Sequence, residues 1–476
     1  MKSKFYTLTA IMVIVGLMLA GCGGGGSSAP AAEAPAADAA AAPADAAAAP
    51  AEAAPAASAD AVTLEYWLWD SNQQPAYQKC VDNFTAANPN IQVNITQSGW
   101  DDYWNGIQTG MVSGTAPDVF TNHLAKYPEF AAKEQLVDIQ PFVDRDSVDI
   151  GAYIGDLAEL WTRDGKRFGL PKDWDTVAVI YSKDALAAAG VTEEELNSAT
   201  WNPEDGGTFG EIIAKLATDE AGNNGLSPDF DKTKVKQYGF VLPGSNGGGA
   251  YGQTEWSWLS NTTGWQHADG MYATSYNYED PRFIATIKWI ADEMAAGLIM
   301  PLEQSSSLGS AAIFQAGTVP MTADGSWMIG DFAANSTAPF AFARLPIGPE
   351  GRKSMFNGLA DSIWTGSEHQ EEAWQLVKYL ASQECADIVG SYGVVFPAQQ
   401  SAVDLALAAY QEKGLDVAAF TEQALEEGGT FLFPVTDFAS NVGSIMTPAV
   451  QGVLLGQSDA ETALTAADKE VDALFQ

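Results

Sequence analysis

The hydrophobic residues that follow residue 61 change their spacing from one segment to the next. An alternation of apolar and polar positions predicts a β-strand, and recurrence every three or four residues predicts a helix. The first part of the chain after residue 61 reads strand, helix, strand, helix, strand. The segments are Val62 to Trp69, a helix containing Tyr77, Cys80, Val81 and Phe84, Ile91 to Ile95, Trp100 to Val112, and Pro117 to Thr121. This order is typical of an α/β fold with a doubly wound sheet, in which ligands bind beyond the carboxyl ends of the strands.

The first 21 residues have the pattern of a signal peptide. Lys2 and Lys4 precede an apolar run, Ile11 to Ala20, that is too short to span a bilayer as a mature helix. The run ends in Leu19-Ala-Gly-Cys22, which resembles the lipobox of bacterial lipoproteins and predicts that Cys22 is lipidated. The alternative is an ordinary signal peptide followed by a chance cysteine. With the lipid, we expect an extracytoplasmic protein anchored to the membrane, at the cell surface or in the periplasm.

Residues 22–61 contain no aromatic and no large aliphatic side chain. Such a segment buries too little apolar surface to offset the entropy of ordering it, so we predict a disordered linker rich in Ala and Pro. It serves either as a passive spacer or as a stalk that lets an anchored body move. The remaining residues, 62–476, exceed the length over which a single hydrophobic core usually grows, which favours two lobes.

The chain is strongly acidic. Asp and Glu number 61 against 23 Lys and Arg, a net charge of −38, and loss of Lys2 and Lys4 with the signal peptide makes it −40. Such a surface repels nucleic acid and anionic lipid headgroups, so we expect neither as a partner.

Cysteine and histidine usage gives no indication of a metal or cofactor site. Cys80 and Cys385 either form a disulfide or are small buried residues, and the sequence leaves both possibilities open. The chain has no CxxC or HExxH motif, and its three histidines, His123, His267 and His369, are scattered. We therefore expect no metal and no cofactor.

Several motifs together resemble the family 1 extracellular solute-binding proteins, the sugar receptors of ABC importers that include the maltose-binding type. The resemblance covers essentially all of residues 62–476. The motifs are Ala116-Pro-Asp-Val-Phe120, Gly169-Leu-Pro-Lys-Asp-Trp-Asp175, Ile180-Tyr-Ser-Lys-Asp184, Phe314-Gln-Ala-Gly-Thr-Val-Pro-Met321, Asp324-Gly-Ser-Trp327 and Ala373-Trp-Gln-Leu-Val-Lys-Tyr-Leu380.

The resemblance implies a two-lobed periplasmic-binding-protein-like fold of type II, with ligand in the cleft between the lobes. The chain would cross between lobes near Asp173 to Thr176, Asn357 to Ile363, and Tyr392 to Pro397. The N-terminal lobe would then comprise residues 62–174 and 357–394, and the C-terminal lobe residues 175–356 and 395–476. Closure of this multi-segment hinge around the ligand is the expected motion.

A sugar site needs aromatic rings for the C–H faces of the pyranose and polar side chains for its hydroxyls. By the resemblance, Trp327 corresponds to a stacking tryptophan and Asp175 to an acid that accepts hydroxyl hydrogen bonds. Each has a structural alternative, a core tryptophan and a capping or hinge aspartate. Further candidates follow predicted strands, a glycine-rich loop or the second crossing: Asp70, Asn72, Asn122, His123, Tyr251, Gln253, Glu255, Trp256, Gly358 and Asp361.

These features predict an extracytoplasmic, monomeric receptor that captures a carbohydrate and delivers it to the transmembrane permease subunits of an ABC importer. The chain has no phosphate-binding loop, so ATP hydrolysis would come from a partner. A receptor of this kind could instead bind a polyamine, which an acidic and aromatic site could hold, a peptide or an anion. An adhesive lipoprotein and an exported glycoside hydrolase are competing functions of different classes, the latter because two carboxylates are the machinery of that reaction. We predict a binding protein rather than an enzyme.

Overall fold

The computed structural model of the protein describes residues 61–244 and 248–476. The predicted signal peptide, Cys22 and the linker up to residue 60 lie outside the described residues. Within the described ranges, no helix combines the length and the apolar character needed to cross a membrane.

Strands and helices are numbered in sequence order. The strands are β1 (Val62–Leu68), β2 (Ile91–Gln97), β3 (Val119–His123), β4 (Thr162–Arg163), β5 (Lys166–Arg167), β6 (Leu170–Asp175), β7 (Val177–Ser182), β8 (Thr218–Asp219), β9 (Val235–Gln237), β10 (Met321–Gly325), β11 (Phe340–Ala343), β12 (Ser354–Ile363), β13 (Phe396–Pro397) and β14 (Thr430–Leu432). The helices are α1 (Gln74–Ala87), α2 (Trp100–Ser113), α3 (Tyr127–Ala132), α4 (Gln140–Asp146), α5 (Lys183–Ala188), α6 (Glu193–Asn197), α7 (Gly207–Leu216), α8 (Ser257–Thr262), α9 (Pro281–Ala295), α10 (Leu302–Ser305), α11 (Ser310–Gln315), α12 (Ile329–Asn335), α13 (Gln370–Leu380), α14 (Gln383–Tyr392), α15 (Gln400–Glu412), α16 (Ala418–Leu425), α17 (Ala439–Leu454) and α18 (Ala460–Asp472).

The first lobe is built on a mixed sheet whose strands lie in the order β13-β6-β12-β3-β1-β2, with β14 beside β12. Strand β1 is parallel to both β2 and β3, whereas β12 runs antiparallel to β3 and β6. The carboxyl ends of β1, β3 and β6 therefore meet the amino-terminal end of β12 at one edge of the sheet. Any ligand bound beyond the parallel strands has to lie at this edge.

The predicted strand and helix order of this lobe is confirmed. Alternate residues of β1 are buried, and the four residues predicted on one face of α1 are all buried in that helix. Helix α2 ends where Gly114 adopts the left-handed conformation, as glycine readily does. Strand β3 begins at Val119 instead of the predicted Pro117, because proline has no N–H to donate to a strand ladder.

Helices α1, α13, α14 and α15 pack together on the first lobe. Cys80 of α1 and Cys385 of α14 form a disulfide with a Cα–Cα distance of 5.3 Å. Of the two possibilities that the sequence left open, the structure therefore supports the disulfide.

The second lobe surrounds a smaller antiparallel sheet in the order β10-β7-β11. Its core is rich in tryptophan and includes the fully buried Trp201, Trp258 and Trp265. Buried residues of α7, α9, α17 and α18 complete this core.

The described chain passes between the lobes three times, and two crossings differ from their predicted positions. The second precedes Asn357 to Ile363, because these residues lie within β12 and pair with β3 and β6 of the first lobe. Strand β6 continues into β7 through Thr176, and the chain returns through residues 344–353 into β12. The third crossing does not lie at Tyr392 to Pro397, because β13 pairs with β6 and α15 buries Tyr410 in the first core. The chain leaves the first lobe only after β14, at residues 433–438.

The assignment of residues 395–476 to the C-terminal lobe is corrected accordingly. Their first part, through α15 and the start of α16, packs in the first core, whereas α17 and α18 pack in the second. The physical reason is Phe396, whose ring stacks on Trp174 at 4.9 Å and holds β13 against β6. The boundaries at 174/175 and 356/357 stay predictions.

Candidate functional site

The crossing at Thr176 joins residues of both lobes through hydrogen bonds. Asp175, the last residue of β6, is 3% exposed and accepts a hydrogen bond from the Ser326 hydroxyl at 2.9 Å. The N–H of Ser326 in turn donates to the carbonyl of Thr176 at 2.9 Å. Trp327 is the next residue in the chain, so the predicted stacking ring and the predicted acid lie at the same crossing.

Trp327 is partly exposed and belongs to neither lobe's core. No other aromatic ring of the described chain packs against it. Instead, the ring lies over Gly325: a Cβ on that glycine would be 2.0 Å from the Trp327 ring. A glycine at this position therefore provides the space that the indole occupies beside the end of β10. Because the ring is partly exposed and outside both cores, a ligand can contact it, and the alternative of a core tryptophan is not supported.

Two acids of the second lobe flank this region. Asp324, just before Gly325, accepts that residue's N–H at 2.8 Å, and Glu255 accepts the N–H of Thr254 at 3.1 Å. Burial raises the pKa of each carboxyl group to about 7, and the charge of Glu255 adds to the effect on Asp324. Gly244 is needed beside Glu255, because its φ is +76° and a Cβ there would be 2.5 Å from Glu255 Oε1.

The first lobe contributes Asp70 and Asp173. Asp70 accepts hydrogen bonds from the Asn72 N–H at 2.8 Å and the Gln73 amide at 3.0 Å, and burial raises its pKa. Asp173 is fully buried; its Oδ1 accepts the N–H of Leu359 at 3.1 Å, while its Oδ2 has no hydrogen-bond partner. Burial raises the pKa of Asp173 to about 7. Asp173 was not predicted as a site residue, because the sequence shows it only as part of a crossing strand.

His123 lies where the two lobes approach each other. Its ring is 5.2 Å from Phe433, which in turn packs against Tyr251 of the second lobe at 5.3 Å. Burial lowers the pKa of His123 to about 3, with a further contribution from the charge of Lys126, so the imidazole is neutral. Since Nδ1 accepts the N–H of Ala125 at 3.0 Å, the proton lies on Nε2.

That proton faces the side-chain amide of Asn357, 2.9 Å away. Asn357 Oδ1 is otherwise without a partner, so an amide orientation that turns Oδ1 toward His123 Nε2 satisfies both groups. With both ring nitrogens bonded within the protein, His123 contributes an aromatic edge to the interface rather than a free hydrogen-bonding group.

An aromatic platform at the end of β1 was missed by the sequence interpretation. It consists of Trp69, Trp100 and Trp104, with ring centroids 5.1 to 5.5 Å apart. Trp100 is 44% exposed and also contacts His123 edge to face at 5.7 Å. In the sequence, Trp100 starts a helix and Trp69 ends a strand, so both were assigned to secondary structure. The available signal was that Trp69 directly precedes Asp70.

Four predicted site residues have structural roles that remove them from the site we favour. Trp256 is fully buried among Trp265, His267 and Phe283 of the second core. Asn122 donates to Ser362 within the sheet at 3.0 Å, and Asp361 forms a buried ion pair with Lys172 at 3.2 Å. A Cβ on Gly358 would be 2.6 Å from the Leu157 side chain, which explains the glycine by packing alone.

The remaining predicted residues stay candidates. Asn72 is exposed beside Asp70, and Gln253 and Tyr251 are partly exposed next to Glu255. The Gln253 Nε2 is buried without a partner, which is compatible with a ligand that accepts a hydrogen bond from it. No group of His, Cys, Asp and Glu side chains in the described ranges has the arrangement of a metal site.

Comparison with known proteins identifies the family. The sequence profile of the bacterial extracellular solute-binding proteins matches residues 69–384, more than half of the chain. The chain belongs to this family. As a solute-binding protein it is similar to a lactose-binding protein of Rhizobium radiobacter, with 29% identity over 148 residues that cover 29% of this chain and 32% of the relative.

Solved structures agree with the fold of this solute-binding protein. Lmo0181 of Listeria monocytogenes, an ABC substrate-binding protein solved in complex with cycloalternan, superposes with a TM-score of 0.74 and 20% identity, covering 87% of this chain and 99% of that one. M. tuberculosis UspC superposes with a TM-score of 0.68 and 23% identity, covering 87% and 100%. At these identities the comparison establishes the shared two-lobed fold.

Proposed function

We propose that this solute-binding protein is the carbohydrate receptor of an ABC importer, tethered outside the cytoplasm by lipid on Cys22. The observation that carries the proposal is the crossing at Thr176, where the Asp175 carboxylate accepts a hydrogen bond from Ser326, the residue directly before the partly exposed Trp327. A ring for the C–H face of a pyranose and charged acceptors for its hydroxyls are the two components that a sugar site requires. The ligands in the names of the relatives, lactose and cycloalternan, are carbohydrates as well.

The second lobe supplies Glu255 and Asp324 to the same site. The first lobe supplies Asp70 and the aromatic platform at the end of β1. A ligand that contacts both lobes stabilises the closed form, because its contacts are complete only there. The closed form is then what a permease distinguishes from the empty receptor. We propose that the receptor acts as a monomer and has no catalytic step of its own.

Calorimetric titration of the full chain with a panel of mono- and oligosaccharides tests the proposal. We expect at least one sugar to bind, and Trp327→Ala to weaken its binding by about 2 kcal/mol or more, the loss typical of a buried aromatic anchor. Trp364→Ala is the matched control. This substitution also removes one indole. Trp364 follows the end of β12 that lies away from the site, where Ile363 pairs with Val119 at the start of β3.

An unchanged dissociation constant in folded Trp327→Ala would remove Trp327 from the site. Absence of any heat or thermal stabilisation across the panel would reject the carbohydrate assignment itself. Mass spectrometry of the mature amino terminus tests the anchor: we expect the mass of a diacylglycerol and an acyl chain on Cys22, and an unmodified cysteine would contradict that part.

A further inference from the structure

Strand β6 contains one residue more than the stretch of β12 with which it pairs. Pro171 lies opposite Ala360 in this antiparallel pair. The next paired residues are Asp173 and Leu359, so Lys172 is an extra residue in the register, which makes it a β-bulge. Bulges are common beside functional sites, where they redirect the side chains that follow them. This bulge lies just before the crossing at Thr176.

The bulge determines which residues of β6 face the crossing. With the bulge, Asp175 pairs with Asn357 of β12. If the earlier register continued without it, Trp174 would pair with Asn357 instead. A shift of one residue turns every later side chain to the other face of the sheet, so Asp175 would point away from the Ser326 hydroxyl, whose hydrogen bond it accepts at 2.9 Å. The contact between the two lobes at this point therefore depends on the bulged register.

The side chain of Lys172 is bonded to three other strands at once. Its Nζ donates to the Tyr66 hydroxyl of β1 at 2.8 Å, to Thr121 Oγ1 of β3 at 3.0 Å and to Asp361 Oδ1 of β12 at 3.2 Å. The Tyr66 and Thr121 hydroxyls each donate to the same Asp361 oxygen at 3.0 Å. The side chains of Lys172 and Asp361 are 1% and 2% exposed. All three N–H groups of the ammonium therefore have acceptors, and they tie the bulge to β1, β3 and β12.

Stability alone does not account for this buried ion pair. The desolvation of two charges offsets most of their attraction, and well-packed apolar residues at such positions are often as stable. Buried polar side chains are best documented as devices that select one register among alternatives, because their bonds are directional. Apolar residues at positions 172 and 361 would fill a similar volume without specifying the bulged register.

We propose that Lys172 is a positioning residue of the binding site: its bonds to three strands fix the bulged register of β6 and thereby hold Asp175 at the crossing where the ligand binds. Lys172 does not contact the ligand, because its donors are used within the protein. The inference rests on the proposed carbohydrate function, since it takes Asp175 as an acceptor for a sugar hydroxyl. It adds a determinant of affinity that lies outside the cleft surface.

The first test compares stability with affinity in Lys172→Met/Asp361→Leu, which removes both charges and keeps apolar volume in their place. We expect its urea unfolding midpoint to stay close to that of the wild type. In calorimetric titration of the full chain with the sugar that the panel identifies, its affinity should fall by about tenfold or more. Ser362→Ala is the matched control, because it removes a buried hydroxyl at the next position of β12. The control should lose stability and keep the wild-type affinity.

A thermodynamic cycle with Asp175→Asn distinguishes positioning from a general loss of structure. In the wild-type background, we expect Asp175→Asn to weaken sugar binding by about tenfold. In the Lys172→Met/Asp361→Leu background, the same change should weaken it by less than about threefold, because Asp175 no longer faces the ligand. Equal losses in the two backgrounds would show that Lys172 does not act through Asp175 and would overturn the inference.

Hydrogen–deuterium exchange of the empty protein reports on the register without any ligand. We expect the amides of residues 172–177 to exchange about tenfold faster in Lys172→Met/Asp361→Leu than in the wild type, while those of β2 stay unchanged. Thr121→Val removes one of the three acceptors of Lys172 and keeps the shape of the side chain. It should produce a smaller change of the same kind, and it replaces the double variant if that variant does not fold.

Wild-type affinity in the folded variant Lys172→Met/Asp361→Leu would overturn this inference and leave the proposed carbohydrate function standing. If no sugar binds the wild type, the proposed function fails and the exchange measurement decides the inference by itself. Faster exchange of residues 172–177 would then support the role of Lys172 in holding the crossing, and unchanged exchange would overturn it.

Discussion

At the scale of single residues, the site is dominated by buried carboxyl groups whose charged forms are poorly solvated. Burial is the largest cause of the raised pKa of Asp173, and the charges of Asp361 and Asp70 add to it, while Lys172 and the Leu359 N–H oppose it. The acid is therefore protonated in the empty folded protein at pH values at which the unfolded chain has already lost the proton.

The pH dependence of stability follows from that shift. A folded pKa of about 7 for Asp173 means that the folded state binds more protons than the unfolded state between about pH 4 and pH 7. The contribution of Asp173 to stability is fully present at low pH and is lost as the pH rises through 7. We expect the wild type to gain more stability than Asp173→Asn when the pH falls from 8 to 5.5, measured by urea unfolding.

The buried histidines act in the opposite direction, so only the difference between wild type and variant is diagnostic. Burial lowers the pKa of His123 and of His267 to about 3, and their contribution is lost as the pH falls. Asp82→Asn serves as the control, and it should follow the wild-type curve. Parallel curves for wild type and Asp173→Asn would contradict the assignment of a raised pKa to Asp173.

A second prediction at this scale concerns the ion pair of Lys172 and Asp361, whose side chains are 1% and 2% exposed. Lys172→Met leaves the Asp361 carboxyl buried without its cation, and we expect a loss of about 3–5 kcal/mol in the free energy of unfolding. Lys172→Met combined with Asp361→Leu should recover much of that loss. Lys288→Met breaks an exposed pair with Asp292 and should change stability by less than about 1 kcal/mol in the same urea titration.

At the scale of elements, the disulfide joins two helices that are 305 residues apart in sequence. The pairing closes a very long loop in the unfolded chain, so the chain-entropy account predicts a stabilisation of about 6 kcal/mol. We expect the double variant Cys80→Ala/Cys385→Ala to lose roughly this much in chemical unfolding while binding its ligand unchanged. Reduction of the wild type should produce the same loss, and stability that is insensitive to both changes would contradict the account.

The elements also show which parts of the fold can be predicted from the sequence. The first two helices and three strands follow from local periodicity, because each has a buried face whose spacing identifies it. The third crossing does not follow from local periodicity, because β13 has only two residues. The lobe to which β13 belongs is determined by Phe396, which stacks on Trp174, more than two hundred positions away in the sequence. The apolar face of α15 fits either lobe equally well when only spacing is considered.

The candidate site divides in the same way. Trp327 and Asp175 were predictable through the family resemblance, since each belongs to a short motif. Trp100 was not, because a tryptophan at helical spacing is normally interpreted as a core residue. Asp361 is a site residue that was predicted wrongly. Its position in the sequence suggested a ligand contact, but in the fold it pairs with Lys172, 189 positions away.

At the scale of the whole molecule, contacts beside the third crossing tie the first lobe to the segments that lead into the second. Tyr127 and Tyr272 share a hydrogen bond of 2.9 Å between their hydroxyls, and Arg163 pairs with Asp437 while lying over the Tyr272 ring. Ser440, at the start of α17, donates to Glu129 at 2.6 Å. We call these residues the inter-lobe contact set. A form of the protein with separated lobes would lose them.

We expect the double variant Arg163→Gln/Tyr272→Phe to favour the open form. Each change removes an interaction worth about 1 kcal/mol, so ligand affinity should fall by up to about thirtyfold while the unfolding temperature changes little. Calorimetry measures the affinity, and small-angle X-ray scattering should give a larger radius of gyration for the ligand-free variant. Arg145→Gln, which breaks an ion pair within the first lobe, is the control. Unchanged affinity and scattering would show that these contacts do not hold the lobes together.

The most direct test of the central claim is the mass of the ligand that the protein carries when it is purified without added sugar. The account predicts that denaturation releases a saccharide from the wild type, and that Trp327→Ala, purified in parallel, carries much less of it. Release of a peptide or an inorganic anion from the wild type, depleted in the same way by Trp327→Ala, would contradict the claim that this cleft binds carbohydrate.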